Sequence, residues 1–362
     1  MSNRRQFLKG QAAARALADM VQTAVGEDVD PVSQPYLVQL KRWAMACHFE
    51  LYLNAGQYDD ATEVALAAFD LIEALEAQLT VYRETSEVLQ LNEAAFSRPV
   101  AVETRFFDLL CRAAQLHRDT AGAFDITSGP LSKTWGFYRR AGSIPSESDL
   151  AAARERVGGQ WLELDPVIRS VRFQRAGMEL NLGSIGKGYA LDRAAEVMAA
   201  SGIQDFLWHG GQSSVLARGK PADARLDRPG WIVGVGHPLR PDRRLVEICL
   251  VNRALATSGS SVQFFRHGGK RYGHILDPRT GWPAEGVFSS TVIADTAAEA
   301  DALSTAFYVL GVESALEYCR QHPGIAALIL YPSANGSKVQ WAAAGFEQDP
   351  WRLVADDADD ES

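Results

Sequence analysis

The chain is 362 residues long, 47% hydrophobic and 22% charged, with a formal net charge of -9. That length allows about two domain units and a sizeable core, and the surplus of carboxylates argues against a general reader of nucleic-acid backbone or anionic membrane, which carries excess Lys and Arg. Cys47, Cys111, Cys249 and Cys319 form no CxxC pair, so zinc and a disulfide framework are not expected and each is read as a small buried hydrophobe.

The start, "MSNRRQFLKG", places Arg4-Arg5 before Phe7-Leu8-Lys9, like a twin-arginine export signal. Such a signal needs an apolar stretch of about 7 to 15 residues behind it, and here Arg15, Asp19 and Glu27 interrupt that stretch. The expectation is a polar arm over residues 1–35 and a cytoplasmic protein, with export as the alternative. No run of about 18 apolar residues exists, so no transmembrane segment is expected. An organised domain is expected over residues 36–350, followed by an acidic tail over 351–362 that ends "ADDADDES".

Within the domain, Phe69, Ile72, Leu75 and Leu79 recur at helical spacing, as do Phe106, Leu109, Leu110, Ala113 and Leu116. Both sets predict amphipathic helices with a core stripe, and His117 on the second is read as structural. The loop "AGAFDITSGPLSKTWGF" follows: Phe124 and Trp135 are candidate walls of a ring pocket, Asp125 and Thr127 candidate partners for a ligand edge, unless this is an ordinary loop. "SVRFQRAGMELNL" predicts two short strands about Arg175-Ala176-Gly177, and "WIVGV", "VEICLVN" and "SSTVIAD" predict further strands. Helices at "KGYALDRAAEVMAASG" and "TAAEADALSTAFYVLG" interrupt them irregularly. The expected class is α+β with mixed or largely antiparallel sheets.

Three stretches can carry chemistry. "NLGSIGKGYALD" joins a predicted strand to a helix through glycines and Lys187: a cradle for a phosphate at a helix N-terminus, or a plain turn with a surface lysine. In "RYGHILDPRTGWP", His274 is either a general base or a packed histidine. In "TAAEADALSTAFYVLG", Thr296 and Glu299 have capping-box spacing, Gly311 is placed to stop the helix, and Ala300, Leu303, Phe307 and Leu310 form the buried stripe. Asp301 and Thr305, four apart, share a face; they are hard oxygen donors of the kind Mg²⁺ takes, or a solvated polar surface.

Taken in order, "AMA" (44–46), "TVYRETSEVLQLN", "AFDITSGPL", "LNLGSIGKGYALDR", "ALATSG" (254–259), "RYGHILDPRTGWP" and "EADALSTAFYVLG" resemble the ApbE family of FAD:protein FMN transferases, over roughly residues 40 to 312. The resemblance implies one or two Mg²⁺ ions on the FAD pyrophosphate, attack on the FMN phosphorus by a Ser or Thr hydroxyl of an acceptor protein, and departure of AMP. It implies Asp301 and Thr305 as side-chain metal ligands, the Ser184 carbonyl as a third, and His274 as base or proton relay with Lys187 beside the phosphates. Flavin and adenosine contacts would fall on Met45, Tyr82, Ala123, Phe124, Asp125, Asn181, Lys187 and Ile275. The sequence departs from the family at Asn181, which stands where Asp is usual, at "HGGQSSVLARG" in place of Gly-Gly-Asp-Ile, and at "AMACHFE" in place of Gly-Thr-Thr. Two alternatives stay open: a Mg²⁺-dependent FAD pyrophosphatase giving FMN and AMP, in which water replaces the hydroxyl, and an FAD-binding protein without turnover, which the altered Gly-Gly-Asp region allows.

Overall fold

The computed structural model describes residues 36–139, 142–222, 229–259, 263–334 and 338–354. A hairpin of β1 (Leu37–Ala44) and β2 (Cys47–Asn54) precedes helices α1 (Ala61–Leu79) and α2 (Glu87–Ala94), strand β3 (Val100–Ala101) and helix α3 (Thr104–Asp119). The short helices α4 (Gly129–Thr134) and α5 (Glu147–Arg154) lead to β4 (Leu162–Asp165), β5 (Ser170–Phe173) and α6 (Gly186–Ala200). Strands then dominate: β6 (Phe206–Gly210), β7 (Ser214–Arg218), β8 (Trp231–His237), β9 (Arg240–Leu250), β10 (Ala254–Gly259), β11 (Phe264–His267), β12 (Lys270–Gly273) and β13 (Ser289–Ala294). Helices α7 (Ala297–Leu310) and α8 (Val312–Gln321) and strands β14 (Ala326–Pro332), β15 (Val339–Ala344) and β16 (Trp351–Leu353) complete the described chain.

Eight strands form the central sheet in the order β1-β2-β6-β7-β10-β13-β14-β15, with every neighbour antiparallel. The class is α+β as expected. Among the described residues the only parallel contact is an isolated bridge between Ser128 and Glu179. Both faces of the sheet are covered. Phe206 and Trp208 of β6 face the helices while Leu207 between them faces β8 and β9, and Val292 and Ile293 of β13 divide in the same way. Sheets buried on both faces read as continuous apolar runs rather than alternating ones, as in "AALILYP" of β14.

The helical layer follows the predicted stripes. Phe69, Ile72, Leu75 and Leu79 of α1 and Phe106, Leu109, Leu110, Ala113 and Leu116 of α3 are buried in one core with Phe49, Leu191 and Phe307. Each such Phe or Leu contributes about 1.5–3 kcal/mol before the entropy of ordering it. His117 is structural as read: its Nδ1 lies 3.1 Å from the Phe124 carbonyl. Gly311 stops α7 at φ 79, as its position predicts.

Three expectations need correction. The second strand expected about Arg175–Gly177 does not form. Instead β5 pairs with β4, because the Asn92 side chain both donates to the Leu180 carbonyl and accepts its N–H, and the Asn181 N–H goes to the Ile126 carbonyl. The capping box at α7 is half made: Thr296 Oγ1 accepts the Glu299 N–H at 3.3 Å, while the Glu299 carboxylate turns outward to Arg112. The boundary expected after residue 350 falls inside a strand pairing, since Trp351–Leu353 pair with Ile248–Val246 of β9. Residues 1–35, with the arm and twin arginine, and residues 355–362 of the tail lie outside the described residues. No described helix is long and apolar enough to cross a membrane.

The β1–β2 turn is unusual for its composition. A two-residue hairpin turn of this kind needs positive φ at both central positions, which favours Asn-Gly. Here Met45 (φ 49) and Ala46 (φ 59) occupy them. Non-glycine residues in this region store backbone strain of order 1–3 kcal/mol each.

Candidate active site

The glycine turn at 183–188 starts α6 by local bonding. Asn181 Oδ1 accepts the Gly183 N–H at 2.9 Å, and the Leu182 carbonyl accepts the N–H groups of Ile185 and Gly186. Asn181 thus shapes the turn through a neutral oxygen that needs no charge. Lys187 follows in the first helical turn, half-buried, and the next residue makes the tightest contact in the site. A Cβ placed on Gly188 would sit 2.0 Å from the Ala297 carbonyl, so no side chain fits where α6 crosses α7.

At this crossing each helix caps the other. A helix N-terminus leaves N–H groups without intrahelical acceptors, and carboxylates satisfy them here. Asp192 of α6 accepts the N–H groups of Ala297 and Ala298 at 2.8 and 2.9 Å, while Asp301 of α7 accepts the Gly188 N–H at 2.7 Å. Burial raises the Asp192 pKa to about 6, against the opposing pull of those two N–H groups and Arg218.

Asp301 is only 5% exposed. Its Oδ1 takes a 2.6 Å hydrogen bond from Ser214 Oγ, and Lys187 Nζ lies 4.0 Å from its Oδ2. One turn on, Thr305 Oγ1 donates to the Asp301 carbonyl and lies 3.1 Å from Ser258 Oγ, which also meets Ser304 Oγ at 2.8 Å. The expectation of a shared Asp301/Thr305 face holds, with a difference: Asp301 is buried rather than solvated.

These residues fit Mg²⁺. Among the described residues no three of His, Cys, Asp and Glu converge as a metal cluster; what this site offers is one buried carboxylate, Asp301, with the Thr305 hydroxyl and backbone carbonyls near it. That set suits a hard cation that keeps waters and substrate phosphates, not the nitrogen and sulfur cage of zinc.

His274 stands at the root of the β11–β12 hairpin. Its Nδ1 is 3.0 Å from the Gln263 carbonyl. A carbonyl only accepts, so Nδ1 carries the proton and Nε2 of the neutral ring keeps its lone pair. Burial lowers the pKa of His274; the Gln263 bond opposes this and the Lys187 charge adds to it. The same lysine acts on Cys47, whose thiol is pushed up chiefly by burial and also feels Asp301. Cys47, Lys187, His274 and Asp301 therefore share one electrostatic neighbourhood. From it a path of contacts reaches an aromatic platform: Gln263 donates to the Phe137 carbonyl at 3.5 Å, and next to Phe137 the Tyr138 ring packs 4.7 Å from Tyr82. Tyr82 is 67% exposed.

Other expected contacts point elsewhere. The Asp125 carboxylate accepts from Thr127 N and Oγ1, both at 2.7 Å, and from Gly159 N at 2.9 Å, with His117 Nδ1 at 3.3 Å. Thr127 Oγ1 also accepts from Gly158 N. Both side chains are consumed in pinning this loop and tying it to the turn at Gly158-Gly159, because a buried carboxylate must find donors. Ala123, Phe124 and Trp135 are buried as well, and Trp135 Nε1 donates to the Gly281 carbonyl. Much of the backbone here is engaged too: the Ala123 N–H goes to the Thr120 carbonyl, the Phe124 N–H to Thr120 Oγ1 and the Phe124 carbonyl to His117. Ile275 is buried, and Met45 is half-buried at the strained turn. A cavity of about 580 Å³ lined by His117, Asp125, Arg154 and Arg279 includes none of Lys187, His274 and Asp301. Ser214 and Asp192 were not singled out from the sequence; the departure at "HGGQSSVLARG" was the one local signal for the former.

The sequence model of the ApbE family matches residues 44–329. A Klebsiella pneumoniae (strain 342) protein named FAD:protein FMN transferase is 33% identical over 285 residues, which cover 77% of this chain and 85% of that protein. A Treponema pallidum (strain Nichols) protein of the same name is 33% identical over 276 residues, 73% of this chain and 76% of its own. Among solved structures, the ApbE protein of Thermotoga maritima superposes with a TM-score of 0.75 at 29% identity, covering 84% of this chain and 96% of that one. The apo form of the Pseudomonas stutzeri flavinyl transferase ApbE gives 0.76 at 27%, covering 88% and 98%.

Proposed function

The chain belongs to the ApbE family, and on that basis we propose that it is an FAD:protein FMN transferase that moves the FMN moiety of FAD to a Ser or Thr hydroxyl of an acceptor protein, with Mg²⁺, and releases AMP. The observation that carries this reading is the buried Asp301 carboxylate at the α6–α7 crossing, with Lys187 Nζ 4.0 Å from its Oδ2. Phosphoryl transfer needs positioning and charge neutralisation more than covalent help. Asp301, Thr305 and the Ser184 carbonyl would hold Mg²⁺, which would supply charge neutralisation at the pyrophosphate when bound.

The protein's own groups do the rest. Lys187 places a point charge beside the phosphates, and the exposed Tyr82 ring offers a face for a planar ring system. The acceptor oxygen forms a bond to the FMN phosphorus while the bond from that phosphorus to the bridging oxygen breaks. AMP departs with the bridging oxygen. The hydroxyl proton passes to His274 Nε2, the nitrogen that the Gln263 contact leaves unprotonated.

The test is incubation with FAD, Mg²⁺ and an acceptor carrying a Ser/Thr site, with AMP and protein-bound flavin measured together. Equimolar AMP and flavin, lost when the acceptor hydroxyl is replaced by Ala, is the expected result. AMP with free FMN marks a pyrophosphatase, and bound FAD without AMP marks a binding protein. We also propose a cytoplasmic location, with export as the alternative, on the charges at Arg15, Asp19 and Glu27 behind the twin arginine. A reporter fused to residues 1–35 should stay inside the cell; twin-arginine-dependent export of it would refute this location.

A further inference from the structure

We infer that Ser214 is a positioning residue that aims the Asp301 carboxylate at the cation. The inference rests on the reading of Asp301 as a metal ligand. An ionised carboxylate has about four lone-pair sites. The Gly188 N–H fills one on Oδ2 and the Ser214 hydroxyl one on Oδ1, which leaves one site on each oxygen. The bond from Ser214 measures 2.6 Å, in the range of short charge-assisted bonds from a hydroxyl to a carboxylate. With both donors present the carboxylate has one orientation. With Gly188 alone it turns about its last torsion, and Lys187 at 4.0 Å draws it away.

Ser214 is itself held rigidly. It is fully buried, and its strand lies inside the central sheet, where Ser214 faces Gly210 of β6 on one side and Ala256 of β10 on the other. Two residues beyond Ala256, Ser258 contacts Thr305. Two neighbouring strands, β7 through Ser214 and β10 through Ser258, thus register the oxygen donors of α7 against the sheet. The hydroxyl comes from "GGQSS", the tight connection between β6 and β7.

The test uses the full chain and Mn²⁺ as a probe, with free Mn²⁺ followed by electron paramagnetic resonance. Ser214→Ala should raise the Mn²⁺ dissociation constant by about 10- to 100-fold, the usual effect of removing an outer-sphere partner. The Mg²⁺ concentration for half-maximal AMP release should rise in parallel, and added Mg²⁺ should recover the rate. Ser214→Cys keeps a similar volume with a weaker donor and should fall between. FAD affinity without metal should match the parent. A Ser214→Ala protein that melts lower but binds Mn²⁺ as the parent does would show a packing role and overturn the inference. Asp301→Asn is the control: if it loses Mn²⁺ while Ser214→Ala keeps it, only the inference fails, and if it keeps Mn²⁺, the metal-site reading fails with it.

Discussion

Asp301→Asn should leave the protein folded and able to bind FAD while lowering Mg²⁺-dependent AMP release by about 10³-fold. The carboxylate is the one charged donor of the proposed cation site, and charge stabilisation by a metal is worth several kcal/mol, with each 1.36 kcal/mol a factor of ten. Asparagine is the informative replacement because of what surrounds it. Its amide oxygen still accepts the Gly188 N–H, and its amide nitrogen donates to Ser214 Oγ, whose hydroxyl turns to accept. Alanine would leave both buried donors unpaired, at about 1–3 kcal/mol each, and so would confuse loss of fold with loss of chemistry. Melting temperature and AMP release against Mg²⁺, measured on one preparation, check the prediction. Parent-like turnover at ordinary Mg²⁺ would remove Asp301 from the site.

His274→Ala should retain FAD affinity and lose about 10²- to 10⁴-fold in turnover, the usual contribution of a general base. The pH profile of the parent supplies a second readout. A base works in its unprotonated form, and burial, aided by the Lys187 charge, lowers the His274 pKa from its ordinary value. The rate should therefore hold as pH falls to the ordinary histidine range and decline only below it. That acid limb should be absent from the residual activity of His274→Ala. If His274 were only a packed residue, the substitution would lower melting temperature and FAD affinity together and leave the limb in place.

The parts of this molecule that could be read from its sequence are those in which one element carries its own signal. The stripes of α1 and α3 follow the helical period, and the Thr296 cap and Gly311 stop bracket α7. The central sheet was harder, because strands covered on both faces lose their alternation. The β1–β2 hairpin escaped because Met45-Ala46 lacks the residues that normally announce such a turn. Residues 178–182 looked like a strand since nothing local reveals that Asn92 and the 126–128 loop take their hydrogen bonds. The site divides in the same way. Lys187, His274, Asp301 and Thr305 lie in legible loops and helices, whereas the Ser214–Asp301 and Asp192–Ala297 contacts join residues 87 and 105 positions apart. Asp125 and Thr127 misled because a loop carboxylate aimed at a ligand and one aimed at its own backbone have the same sequence.

The reciprocal caps between α6 and α7 also set the terms on which this chemistry can be moved or redesigned. Lys187 and Asp301 come from different helices, and their spacing depends on a crossing that admits no atom beyond the Gly188 Cα and is closed by Asp192 at one end and Asp301 at the other. A graft of the metal-binding turn alone would arrive without the partner that fixes its axis. The smallest transferable cassette is the helix pair with strand β7, and variation aimed at new acceptors belongs in the loops outside it.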